Sequence, residues 1–195
     1  MIRRIAATAL GVALATTACS QGPTFTRDDM PKIVLRASDA PAGTTFAPGF
    51  SGEQQVDAFA TDANETRLLK ADGFDLGYTA FFFPPGAMTG PVPPGSPFVQ
   101  CIAGLFAGSD GASSALHRFV ADLHARQVPG AKDLDAGELG DEAFALQGTG
   151  SGGDHVVAFA WREGNLVLAV TGSGNLPVAV VERLAHVVDA RAAAL

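Results

Sequence analysis

The side chains able to do chemistry are few and scattered. There are four histidines, His117, His124, His155 and His186, and two cysteines, Cys19 and Cys101. A serine nucleophile of the G-x-S-x-G type needs the first glycine to reach its strained turn; before Ser151 and Ser173 that place is held by Thr149 and Thr171. A Ser/His/Asp set could assemble only from dispersed residues, with His155 and the adjacent Asp141-Glu142 pair as its material. His117 and His124 share a helical face, yet seven residues at the helical rise set them about 10 Å apart, too far to hold one ion. The run GTGSGG, residues 148–153, fits G-x-G-x-x-G, but a phosphate cradle must open a helix, and here a strand-like run follows. Acids at Asp28-Asp29, Asp133/Asp135 and Asp141-Glu142 lie in polar stretches, whereas glycosidase chemistry needs two acids opposed across a cleft. The expectation is no catalytic residue, no metal, no cofactor and a non-enzymatic role.

Cys101 lies in PFVQCIAGLF with no Lys, Arg or His within ten residues on either side. A reactive thiol needs such a charge to lower its pKa, so Cys101 reads as a small buried hydrophobe. Cys19 is different. It ends the run ALATTAC, behind Arg3 and Arg4, an apolar middle from Ile5 to Ala15 and the small residues Thr16-Thr17-Ala18, the plan of an export signal. The apolar middle is shorter than the roughly 20 residues needed to span a bilayer, and no later run is long enough. Ala18-Cys19 resembles a bacterial lipobox, with Thr16 where leucine is usual. That resemblance implies a diacylglyceryl group on the Cys19 thiol, cleavage before it, and a lipid-held protein outside the cytoplasm, on the cell membrane or the periplasmic side of the envelope. Ordinary secretion after cleavage at Ala18 is the alternative. Two or more acyl chains anchor stably where one does not.

Without the leader, 177 residues remain, with 11 Lys and Arg against 20 Asp and Glu, a charge of −9. Nucleic acid and anionic lipid surfaces need a basic footprint, so neither is an expected partner; membrane contact falls to the lipid. The expected partner is an envelope protein, a glycan or a small apolar ligand lodged between sheet and helix. One loop stands out: FFFPPGAMTGPVPPGSPF, residues 81–98, holds six prolines. Such a stiff segment loses little entropy on docking, and Phe83, Met88 and Val92 would supply its apolar contacts.

The elements that position these residues follow from period and punctuation. The leader is 1–18 and a polar, Pro-containing tether is 19–31; a single α+β domain fills 32–195. Lys32 to Arg36 has strand character, and residues 44–60 are ambiguous. Thr61 or Asp62 caps a helix running to Ala71. Strands are expected over Leu76–Phe83 and Phe98–Ala107, then a helix from Ser109 with Leu116, Phe119, Val120 and Leu123 on one stripe. Three strands follow, Glu142–Gln147, His155–Arg162 and Asn165–Thr171, the last two joined by a tight turn at Gly164-Asn165. Pro177 opens a final helix to the C-terminus with Val181, Leu184, Val188 and Leu195 inward. The sum is a mostly antiparallel sheet of about five to six strands with two to three packed helices. VVAFAW and LVLAV do not alternate, so this hairpin is central and covered.

Four stretches, LRASDAPAGT, LGDEAF, FAWREGNLVLAV and LAHVVDAR, together resemble exported lipoproteins of high-GC bacteria, including actinobacterial sensor-like extracellular domains. The resemblance implies an antiparallel sheet flanked by helices, similar to the PsbP/Mog1-like arrangement, and a sensor-like or binding module of unknown ligand. It carries no site residues. A cell-envelope hydrolase built from dispersed residues and a purely structural surface lipoprotein are the alternatives.

Overall fold

The computed structural model describes residues 22–195. The leader and Cys19 lie outside the described residues. Eight strands form one antiparallel sheet: β1 (Thr45–Phe46), β2 (Gly52–Gln54), β3 (Phe74–Phe83), β4 (Phe98–Phe106), β5 (Lys132–Leu134), β6 (Glu142–Thr149), β7 (His155–Glu163) and β8 (Leu166–Ser173). Their spatial order is β1-β3-β4-β8-β7-β6-β5, with β2 also paired to β3. The α-helices are α1 (Met30–Ile33), α2 (Val56–Phe59), α3 (Ala63–Ala71), α4 (Ser109–Asp122) and α5 (Val178–Ala192). A π-turn over Leu123–Gln127 ends α4.

The expected sheet of five to six strands with two to three helices is therefore too small. Strands β1, β2 and β5 span two or three residues each, too few to show an alternating pattern. Helices α1 and α2 are single turns of four residues. No strand forms over Lys32–Arg36: Pro31 opens a helical turn, and Met30, Ile33 and Val34 are buried at helical spacing. Elsewhere the local signals act as read. Asp62 caps α3, its carboxylate accepting the Glu65 amide at 2.8 Å.

Both faces of the sheet are covered, and β7 shows why its sequence does not alternate. Val157, Phe159 and Trp161 point to the face packed by α5 through Val181, Leu184, Ala185 and Val188. Ala158 and Ala160 point to the other face, where Leu116 and Val120 of α4 sit on Ala160 and Ala169. Small residues there let a helix approach closely; large ones on the opposite face fill the main core.

The N-terminal segment belongs to that main core. Phe25 and Met30, within the stretch read as tether, are buried with Ile33 and Leu35. Asn165 holds the segment: its side chain accepts the Phe25 amide at 2.7 Å and donates to the carbonyls of Phe25 at 3.2 Å and Phe106 at 2.9 Å. Gly164 beside it takes a φ of 54°, and a Cβ there would meet the Pro23 carbonyl oxygen at 1.7 Å. This turn thus needs glycine for both its conformation and its clearance. Arg191 of α5 ties down the following stretch, donating to Asp39 at 2.8 and 3.0 Å and to the Val34 carbonyl at 2.9 Å.

Candidate functional site

The residues considered for chemistry from sequence do not converge. His155 pairs with Thr149, while Glu142 pairs with Arg162. Seven residues of β7 separate His155 from Arg162, about 23 Å at the strand rise. The Asp141-Glu142 pair meets His117 instead, Nε2 to the Glu142 carboxylate at 2.7 Å. Ser113, one helical turn before His117, donates to the same carboxylate at 3.0 Å. Serine and histidine thus both hydrogen-bond Glu142 rather than each other, and do not form the Ser–His pair of a triad. Arg162 closes the knot, donating to Asp141 at 2.7 Å. His124 faces Asp133 at 3.2 Å, and among the described residues no group of three His, Cys, Asp or Glu side chains is placed to hold a metal. GTGSGG links β6 to β7. Cys101 is fully buried, and burial pushes its thiol pKa up to about 12. Trp161 is likewise sealed in the core.

A cleft does form where α4 runs out. On the α4 side of the sheet, cross-strand rows are set by register: Thr79 lies opposite Ile102, Phe81 opposite Gln100, and Gln100 opposite Thr171. Helix α4 covers the alanine rows of β7 and β8 but stops at Asp122 before reaching the far half of β3 and β4. Helices α2 and α3 and the β1–β2 loop wall the other side. The cleft between them has a volume of about 540 Å³, within the range of small-molecule sites. Phe81, Gln100 and Thr171 form its floor, with Phe59 and Phe119 on opposite walls. Phe59 can lie so low because Gly77 has no side chain; a Cβ there would meet its ring at 2.2 Å.

The polar groups of the cleft divide into occupied and open. Glu65 accepts the Thr61 amide at 2.6 Å and the Thr61 hydroxyl. Asp122 is held by the Arg126 guanidinium and accepts from Gln127 at 2.9 Å. Ser51 accepts the Phe81 amide at 2.9 Å and donates to the Ala47 carbonyl at 2.9 Å. The side-chain amide of Gln100 and the hydroxyl of Thr171 hydrogen-bond no other described residue, and both are half-buried. No Lys, Arg or His lines the cleft among the described residues.

Aromatic rings continue from the floor toward the Pro-rich loop. Phe81 stacks on Phe83 at 6.0 Å with planes 10° apart, Phe83 meets Phe98 at 5.2 Å, and Phe50 meets Phe83 at 5.7 Å. Beyond them a second hollow of about 510 Å³ lies between residues 45–50 and 83–88. Phe83 and Met88 line it, whereas Val92 does not; Met88 is 59% and Val92 46% exposed. Sequence reading singled out Phe83 but missed Phe81, Gln100 and Thr171. Gln100 and Thr171 were visible as single polar positions, in VQC and AVT, inside otherwise apolar strands, whereas Phe81 within FFF carried no such signal.

No family model matches the chain, and no curated protein matches it in sequence. Its fold is similar to that of the extracellular domain of PknH from Mycobacterium tuberculosis, with a TM-score of 0.63 over 89% of this chain and 100% of that one, at 10% sequence identity. At that identity the likeness is one of fold: a large antiparallel sheet carrying helices on both faces.

Proposed function

We propose that the chain is an extracytoplasmic, lipid-anchored, sensor-like module that binds a small ligand in the cleft over Phe81, Gln100 and Thr171 and catalyses no reaction on it. One observation carries the binding reading. A concave site combines aromatic walls with two half-buried polar side chains that have no partner among the described residues, which is how a site looks when a ligand completes its hydrogen bonds. Among the described residues no Cys, His or Lys lines the cleft, and the hydroxyl that meets a carboxylate there, Thr61 on Glu65, makes a local contact at the start of α3. The export plan at Arg3 to Cys19 supports the address, as does a fold shared with a domain described as extracellular.

The first described residues and the cleft lie at opposite ends of the sheet. Gly22 and Pro23 join the domain beside Gly164, near Phe106 and hence near the start of β3, which faces Phe106 in register. Phe81 is seven residues further along β3, about 23 Å at the strand rise. A lipid on Cys19 would therefore leave the cleft facing away from the bilayer.

Membrane-extracted full-length protein, isotope-labelled and mixed with a small-molecule extract of the cells that make it, tests this reading by amide NMR. Shifts confined to the floor and walls of the cleft support it. Absence of shifts, or shifts only elsewhere, refutes it. In parallel, Cys19→Ser should move the protein from the membrane to the soluble fraction; unchanged partitioning refutes the anchor.

A further inference from the structure

Resting on the binding reading above, we infer that the ligand of the cleft is an uncharged saccharide. The first argument is charge. The charged side chains in the lining are the carboxylates of Glu65 and Asp122, and a protein with a formal charge of −7 surrounds them. Arg126 at the rim is committed to Asp122 and lies 3.9 Å from Asp62. An anionic ligand would meet no available cation and would be repelled. For a cationic ligand, Asp122 is already neutralised by Arg126. Glu65 spends acceptors on the Thr61 amide and hydroxyl while keeping its charge, so the cationic probe below is the decisive comparison.

The second argument is the pattern of what remains. Gln100 offers two acceptor lone pairs and two donors, and Thr171 two acceptor lone pairs and one donor. They sit directly opposite each other across β4 and β8, so the pair presents donors and acceptors side by side. Vicinal hydroxyls, each both donor and acceptor, match that pair; a purely apolar ligand would leave it unsatisfied at a cost. Phe81, in register on the other flank of Gln100, presents a half-buried ring next to the polar pair. A sugar ring has C–H bonds on its face and hydroxyls at its rim, so it can lie on the negative face of the ring while its rim reaches Gln100 and Thr171. The run of rings from Phe81 through Phe83 to Phe98 and Phe50 continues the aromatic surface beyond one sugar, which favours an oligosaccharide lying along β3.

The test uses detergent-solubilised full-length protein and isothermal titration with maltotriose, cellotriose and triacetylchitotriose, beside glucose 6-phosphate as the anionic probe and choline as the cationic one. At least one uncharged trisaccharide should bind, with glucose 6-phosphate and choline silent. Gln100→Leu and Thr171→Val should each weaken that binding about tenfold or more, and Thr171→Ser should restore most of it. Thermal melting of each variant checks folding, and Thr171→Ser keeps the test decisive if Thr171→Val misfolds. Binding of glucose 6-phosphate or choline in the cleft in place of the sugars overturns the saccharide class and leaves the binding reading standing. Failure of all five probes, with shifts in the cleft from the cell extract, does the same. Failure of the probes and of the extract together overturns both.

Discussion

Asn165→Ala is the most direct test of how the N-terminal segment is held. Asn165 is only 7% exposed, and its side chain makes three hydrogen bonds, to the amide and carbonyl of Phe25 and the carbonyl of Phe106. At a net worth of about 1 kcal/mol each, their loss costs about 3 kcal/mol if the segment stays docked over stranded polar groups. The segment has an escape: it can peel away, hydrate those groups and expose Phe25. Giving up one buried phenylalanine costs about 1.5–3 kcal/mol. The two routes bracket the same figure, so a destabilisation of about 2–3 kcal/mol is expected. Urea unfolding followed by fluorescence reads it cleanly, because Trp161 is the sole tryptophan and is fully buried. The double variant with Phe25→Ala separates the routes: if the segment peels, the two costs overlap by about 0.5 kcal/mol or more. A loss below about 1 kcal/mol for Asn165→Ala would refute the reasoning and show that packing alone seats the segment.

Two further outcomes follow from single side chains. Glu163 has its pKa raised to about 6 by burial first, then by the carboxylates of Asp189 and Asp141, and its Oε2 has no hydrogen-bond partner. The folded state therefore binds this proton more tightly than the unfolded chain, so the contribution of Glu163 falls as pH rises from about 4.5 to about 6. Glu163→Gln should be more stable than the parent at pH 7 and lose that slope; denaturant melts across this range check it, and a parent-like slope would count against it. Gly111→Ala should destabilise although alanine favours a helix by about 1 kcal/mol. Its Cβ would sit 1.9 Å from the Asp72 carbonyl oxygen, an overpacking worth about 1–3 kcal/mol, and a raised melting temperature would contradict it.

The legible parts of the fold were those with long periods. Helices α4 and α5 showed their stripes, except that α5 ends at Ala192 and leaves Leu195, expected inward, exposed; β7 and β8 showed their burial by failing to alternate. Local chemistry also spoke plainly at Asp62, Pro177 and Gly164. The parts that stayed hidden are short. A two-residue strand such as β1 exists only because β3 is there to pair with it, so its cause lies 38 residues away from Thr45, at Phe83, and 36 away from Phe46, at Phe82. Lys32–Arg36 misled for a related reason: apolar residues in sequence mark burial, and tertiary packing chose a helical turn to bury them. The cleft was less legible still. Gln100 and Thr171 are 71 residues apart in sequence and meet only through strand register. Asn165 looked like a turn former tolerant of positive φ, yet its φ is negative and its side chain serves as a clasp.

The outermost rungs of the ladder, β1 and β5, are two and three residues long. An open sheet of this width would ordinarily offer two long borders on which a neighbour's backbone could continue the hydrogen bonding. Here each border is interrupted after a few residues, which leaves no template long enough to copy. Molecules crowded side by side on one surface could thus collide at their flanks without zipping into filaments, and remain separate at high local density.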